Sequence, residues 1–100
     1  MPAVTRVGDT LSTGHGCTGV TTLASANQGS VYVNGILSTV VGATTAVHAV
    51  PPKPPCPPHT ANLNAGSGSV FVEGIPLGRI GDSADAGSML VGSSNVYAGG

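Results

Sequence analysis

Three imidazoles and two thiols stand out in this chain: His15, His48, His59, Cys17 and Cys56. Cys56 and His59 have two residues between them, a spacing that lets both reach one ion. They sit in the run Pro51-Pro52-Lys53-Pro54-Pro55-Cys56-Pro57-Pro58-His59, where the prolines fix φ and reduce the freedom lost when ligands are held in place. Zinc binds imidazole nitrogen and thiolate sulfur, and a structural zinc takes four donors in a closed tetrahedron. His15, His48, Cys56 and His59 fill such a set. Cys17, two residues after His15, is an alternative to Cys56, and a Cys17–Cys56 disulfide without metal is the third reading.

Residues so far apart in sequence need a scaffold that gathers them, and the chain carries the mark of one. Gly29-Ser30-Val31-Tyr32-Val33-Asn34-Gly35-Ile36 recurs as Gly68-Ser69-Val70-Phe71-Val72-Glu73-Gly74-Ile75, offset by 39 positions from Val31 to Val70. A looser copy, Val96-Tyr97-Ala98-Gly99-Gly100, follows Ser93-Ser94-Asn95. A second signature runs Arg6-Val7-Gly8-Asp9, then Val40-Val41-Gly42-Ala43, then Arg79-Ile80-Gly81-Asp82. The order is that of a circularly shifted threefold repeat. His15 lies seven residues after Gly8 and His48 six after Gly42, while the third loop has Ser88 seven after Gly81. Two of three equivalent loops thus carry an imidazole at nearly the same point, and Cys56 with His59 would complete the set.

The Val-Tyr-Val and Val-Phe-Val triplets alternate in facing and end on turn pairs, which reads as β-structure. Val40-Val41 and Arg79-Ile80 are the expected return strands. No stretch carries a 3.6-residue apolar period over helical length. The fold expected is all-β, with residues 1–100 forming a single domain without extension domains. Three hairpin repeats surround a pseudo-threefold axis in a small cone stapled by zinc at its apex. Small residues after the Arg-Val/Ile-Gly-Asp signature, Thr10, Ser12, Thr13, Gly14 and Gly16 in one unit and Ala84, Ala86, Gly87 and Ser88 in another, suit the tapered end. Arg6 with Asp9 and Arg79 with Asp82 read as turns in which the aspartate caps backbone N–H groups or pairs with the arginine. Glu73, Asp85 and Lys53 have no recurring partner and read as solvated or interfacial.

Composition limits what else the chain can be. Only 7% of residues are charged and 3% aromatic, against 16 glycines and 8 prolines, so a core built from small aliphatics alone is thin and calls for a metal, a disulfide or a partner. A net charge of −1 without a basic cluster speaks against nucleic acid as a partner. There is no long apolar run of membrane-spanning length and no signal-peptide pattern. Catalysis is the weaker reading of the same residues. A zinc hydrolase needs an open coordination position and a nearby base, and a nucleophile at Ser12 or Cys17 beside His15 has nothing further to support it. The Pro-x-x-Pro spacings beside Lys53 also read as a Pro-rich adaptor peptide, although such peptides seldom interrupt a repeat array.

Taken together, Pro2-Ala3-Val4-Thr5-Arg6-Val7-Gly8-Asp9, Gly14-His15-Gly16-Cys17 and the strands ending in Asn34-Gly35-Ile36 and Glu73-Gly74-Ile75 resemble the PAAR-repeat proteins. Ser93-Ser94-Asn95-Val96-Tyr97 is similar to a further element of that family, and the likeness spans nearly the whole chain. Pro2-Ala3-Val4-Thr5-Arg6 departs from a literal Pro-Ala-Ala-Arg, and Val40-Val41-Gly42-Ala43 lacks both Arg and Asp. The resemblance implies a non-enzymatic structural tip that caps and sharpens a trimeric β-helical spike of a type VI secretion system or phage tail. It further implies one copy per spike trimer and mechanical piercing of a target membrane. The protein would wait in the bacterial cytoplasm and leave on firing, or ride in the virion. Zinc near the apex would be held by three histidines and a cysteine, which carries onto His15, His48, His59 and Cys56.

Overall fold

The computed structural model of the protein describes residues 2–14, 19–49 and 58–99. The turn pairs set its first features. Asn34 and Gly35 have φ of 55° and 78°, and Glu73 and Gly74 have 53° and 78°, the double positive φ of the tight turn that joins two strands through two residues. In chain order the strands are β1 (Thr10–Ser12), β2 (Val20–Thr22), β3 (Tyr32–Val33), β4 (Ile36–Leu37), β5 (His48–Ala49), β6 (Pro58–His59), β7 (Phe71–Val72), β8 (Ile75–Pro76), β9 (Ser83–Ala84) and β10 (Gly87–Ser88). They pair as five antiparallel hairpins, each with its successor, and the described residues contain no helix. The all-β expectation holds. The number of hairpins does not: sequence reading gave three.

The return strands also differ from expectation. Val33 pairs with Ile36 and Val72 with Ile75, because a two-residue turn puts the very next residue back in register. Val40 and Arg79 serve another purpose: Val40 bridges Leu77, Arg79 bridges Val4, and Arg6 bridges Ser38. They stitch one hairpin to the next. Tyr97 bridges Ala3 as Tyr32 pairs with Leu37 and Phe71 with Pro76, so distant parts of the chain form a further pairing of the same kind.

At the middle of this stitching, three backbone hydrogen bonds close a ring. Thr5 N–H donates to Gly78 O at 3.0 Å, Gly78 N–H to Thr39 O at 2.8 Å, and Thr39 N–H to Thr5 O at 3.0 Å. The Thr5 and Thr39 hydroxyls, both fully buried, meet at 2.6 Å. The third position has room for no side chain at all. A Cβ on Gly78 would lie 2.5 Å from Leu63 Cδ2 and 2.7 Å from Thr5 Oγ1. Truncating either threonine to alanine leaves the other hydroxyl buried and without that partner, at a cost of about 1–3 kcal/mol. Thr5→Ala with Thr39→Ala should cost less than the two singles summed, as a double-mutant cycle by urea unfolding would show.

The second signature is a set of three like turns. Asp9, Ala43 and Asp82 each donate N–H to the carbonyl three residues back, at Arg6, Val40 and Arg79. The third residue of each turn is glycine with φ of 91°, 95° or 89°, the position where such a turn requires positive φ. That requirement explains why Gly42 stays while the Arg and Asp around it are absent. Each glycine N–H then donates to a later residue: Gly8 to Leu23, Gly42 to Leu63, Gly81 to Met89. Bridges from Leu23 to Thr45, Thr44 to Asn62, Leu63 to Ala84 and Met89 to Leu11 complete a circuit through β1–β2, β5–β6 and β9–β10.

The core follows in two clusters. Val4, Val33, Val40, Val72, Leu77 and Ala98 form one, and Leu11, Leu23, Ala43, Leu63, Ala84 and Met89 the other. The molecule measures 40 × 23 × 22 Å along its principal axes, elongated with two nearly equal short dimensions.

Candidate metal centre

The β5–β6 hairpin places His48 directly opposite His59, so two of the four expected donors share one rung of a ladder. Residues 50–57 join its arms; Cys56 is among them and lies outside the described residues, as do His15 and Cys17. Among the described residues no set of three donor side chains gathers.

Two loops close on this hairpin. His59 Nε2 lies 3.2 Å from Asp85 Oδ2, with the two side chains 33% and 8% exposed. Asp85 is at the tip of the β9–β10 hairpin, where Ala84 faces Gly87 across the turn, and its φ is 55°. Of the two readings given to Asp85 from sequence, solvated or interfacial, the contact with His59 on β6 fits the second. The third element is the segment leading to His15. Ala86 N–H donates to Thr13 O at 3.0 Å and Ser88 N–H to Ser12 Oγ at 3.0 Å. The approach is so close that a Cβ on Gly14 would sit 2.2 Å from Ala86 O. Gly14, the residue before His15, is packed on the turn that carries Asp85, and that turn is packed on the strand that carries His59. The small residues that sequence reading took for the tapered end make this contact achievable.

The other carboxylates are committed elsewhere. Asp9 accepts from Arg6 N at 2.8 Å, Nε at 3.0 Å and Nη2 at 3.1 Å, and Asp82 accepts from Arg79 in the same pattern at 2.8, 3.0 and 3.0 Å. The expectation for these pairs is met in both its forms, cap and ion pair together. The hydrogen bond each guanidinium donates to its partner carboxylate raises its pKa above the ordinary value, against the opposing effect of burial. Where Arg and Asp are missing, Asn27 compensates: its side-chain N–H donates to Val41 O at 2.9 Å. Glu73 accepts from Ser30 Oγ at 2.8 Å and from Gly29 N, tying one hairpin turn to the approach of another.

Opposite in chemical character are Tyr32, Phe71 and Tyr97, which are 60%, 53% and 51% exposed although their neighbours Val33, Val72 and Ala98 are buried in the first core cluster.

Sequence reading missed a polar device that sets up each of these strands. Gln28 Oε1, Ser67 Oγ and Ser93 Oγ each accept the N–H groups two and three residues ahead, at Ser30 and Val31, Ser69 and Val70, Asn95 and Val96. Gln has a longer side chain than Ser, which hides the equivalence; the signal was a polar residue three before each Val of the triplets.

No protein-family model matches the chain, and no curated protein is similar enough to count as a relative.

Proposed function

We propose that this protein is a non-enzymatic tip that caps a trimeric β-helical spike, the role implied by its resemblance to the PAAR-repeat proteins. The observation that carries this reading is the closed ring of Thr5, Gly78 and Thr39. Three like turns and three like polar caps surround it, as a pseudo-threefold cone requires. A monomer with such internal repetition can meet each chain of a true trimer with one repeat, a match that an asymmetric fold lacks. Tyr32, Phe71 and Tyr97, one from each repeat of the triplet, offer the trimer three exposed aromatic side chains, the residue type enriched where interfaces bury the most energy.

The narrow end in this reading holds a structural zinc. The donor chemistry fits: imidazoles His15, His48 and His59, with Cys56 as the sequence's nominee for the fourth position, are ligands zinc accepts. The His48–His59 register and the packing of Gly14 on the neighbouring turn support their convergence. Bound zinc would cross-link loops that the two small core clusters leave thinly held, giving stiffness to the end that meets a target membrane.

The test is stoichiometry. Mixed with a trimeric β-helical spike protein from the same genome, the full chain should yield a complex of one copy per trimer by native mass measurement. No complex, or one of three copies per trimer, would refute the proposal.

A further inference from the structure

We propose that Asn34 is a self-modifying residue of the folded protein: the Gly35 nitrogen displaces its side-chain amide as ammonia, and water then leaves a carboxylate in the β3–β4 turn. Of the chain's asparagines, Asn34 alone precedes glycine; the others precede Gln28, Leu63, Ala65 and Val96. A following side chain hinders approach of the backbone nitrogen to the asparagine Cγ, and at Gly35 there is none. Both turn residues are exposed, and nothing lies within 4 Å of the point a Gly35 Cβ would occupy. The Gly35 N–H donates to no acceptor among the described residues.

What distinguishes Asn34 from an Asn-Gly pair in an unfolded chain is the set of donors on its carbonyl. Ser93 Oγ lies 2.6 Å from Asn34 Oδ1, and Arg6 Nη1 donates to the same atom at 3.2 Å. Ser93 is buried, and its Oγ already accepts the N–H groups of Asn95 and Val96. Its one proton is left to give, and Asn34 Oδ1 is nearer than Asn95 Oδ1 at 3.2 Å. Asn34 Nδ2 donates to Asn95 Oδ1 at 2.8 Å, which fixes the end of the amide that faces Ser93. As Gly35 N attacks Cγ, negative charge grows on Oδ1. A hydroxyl and a guanidinium already aimed at that oxygen stabilise it without rearranging.

Water is the only co-reactant. Gly35 N gives its proton to solvent and bonds to Asn34 Cγ; the Cγ–Nδ2 bond breaks, and Nδ2 takes up a proton and leaves as ammonia. One water then opens the five-membered imide at either carbonyl. One opening gives aspartate, and the fold already holds a carboxylate at the equivalent point: Glu73, with nearly the same φ, accepts from Ser30 Oγ as Asn34 does from Ser93. The other opening gives isoaspartate, whose main chain runs through the side-chain carbon. That lengthens a turn of only two residues, so Val33 and Ile36 lose their register. On the spike reading above, this second product unseats Tyr32 from the docking face and limits the working life of an undocked chain.

Ageing the full chain at mildly alkaline pH, with Asn34 followed by peptide mass, tests the modification. Conversion in the folded protein should run about tenfold faster than in the same buffer with guanidinium chloride enough to unfold it. Ser93→Ala should slow the folded reaction about tenfold, and Ser93→Thr, which keeps a hydroxyl, should restore it. An equal or slower rate in the folded wild type overturns the inference, since the turn then shields Asn34; that comparison holds whether or not Ser93→Ala folds. A folded Ser93→Ala chain that converts as fast as wild type overturns it too. Chain enriched in isoaspartate should fail to join the spike trimer that fresh chain joins. Equal joining overturns the limit on working life, whereas fresh chain that joins no spike overturns the spike reading and leaves the modification standing.

Discussion

On the zinc reading proposed above, a strong chelator is expected to lower the thermal unfolding midpoint by about 15–30 °C. Little else holds the fold together. The largest fully buried side chains among the described residues are Leu11, Leu23, Leu63 and Met89, and the rest of the buried hydrophobic core is Leu77, valine and alanine. No aromatic contributes, since Tyr32, Phe71 and Tyr97 all lie more than half exposed. Such a core leaves little surplus over the entropy of ordering 100 residues, 16 of them glycine. An ion that binds only the folded state adds about 4 kcal/mol when its free concentration exceeds Kd a thousandfold. For a domain of this size each kcal/mol moves the midpoint by about 4–8 °C. His59→Ala should reproduce most of the loss, and chelator should then have little left to remove. Scanning calorimetry with and without phenanthroline decides it: an unmoved midpoint in the wild-type chain would mean that no metal holds this fold.

Gly87→Ala is the substitution from which the largest single loss is expected, about 3 kcal/mol by urea unfolding. A Cβ there would fall 2.1 Å from Ser12 O, 2.4 Å from Ser12 Oγ and 2.6 Å from Ser12 C. A flexible side chain could swing aside, but two of those atoms are backbone, so β1 itself has to move. Moving β1 breaks the Ser88 N–H bond to Ser12 Oγ and shifts Leu11, which is fully buried beside Met89. Gly19→Ala is the matched control, because a Cβ at Gly19 meets nothing within 4 Å; its effect should stay within about 0.5 kcal/mol. Equal effects at the two positions would show that the loops do not converge as described.

These losses also show which parts of the molecule the sequence could disclose. Asn34-Gly35 and Glu73-Gly74 were legible because positive φ narrows the choice of residue, and the alternation of Val and Tyr or Phe around them fixes which side is buried. The Arg6–Asp9 and Arg79–Asp82 turns were legible for a similar reason: their bonding is local. What stayed hidden was non-local. That Val40 pairs with Leu77 instead of with Val33's hairpin depends on how separate units meet, and nothing in the residue types near Val40 records it. Gly78 looks like any loop glycine until Leu63 and Thr5 are placed around it. Asp85 carries no spacing motif to any histidine, since its relation to His59 exists only across the two hairpins. The phase within the repeats relates His48 to His15, which with Cys56 lies outside the described residues, whereas the His48–His59 rung comes from the pairing of β5 with β6.

The stitching between units has a consequence for how the protein is made. Val4 N–H donates to Val96 O, Ser93 N–H to Val4 O, and Ala98 N–H to Pro2 O. During synthesis the segment around Val4 emerges from the ribosome long before the partners that will hold it. Neither the first hairpin nor the second can bury its inner residue, Leu11 or Val33, alone, so no stable intermediate is expected on the way. Folding must wait for nearly all of this chain and then happen at once, which makes it slow for its length and leaves sticky strand edges waiting in the meantime. A cell that makes this protein in quantity therefore has reason to shield the nascent chain until Tyr97 is out.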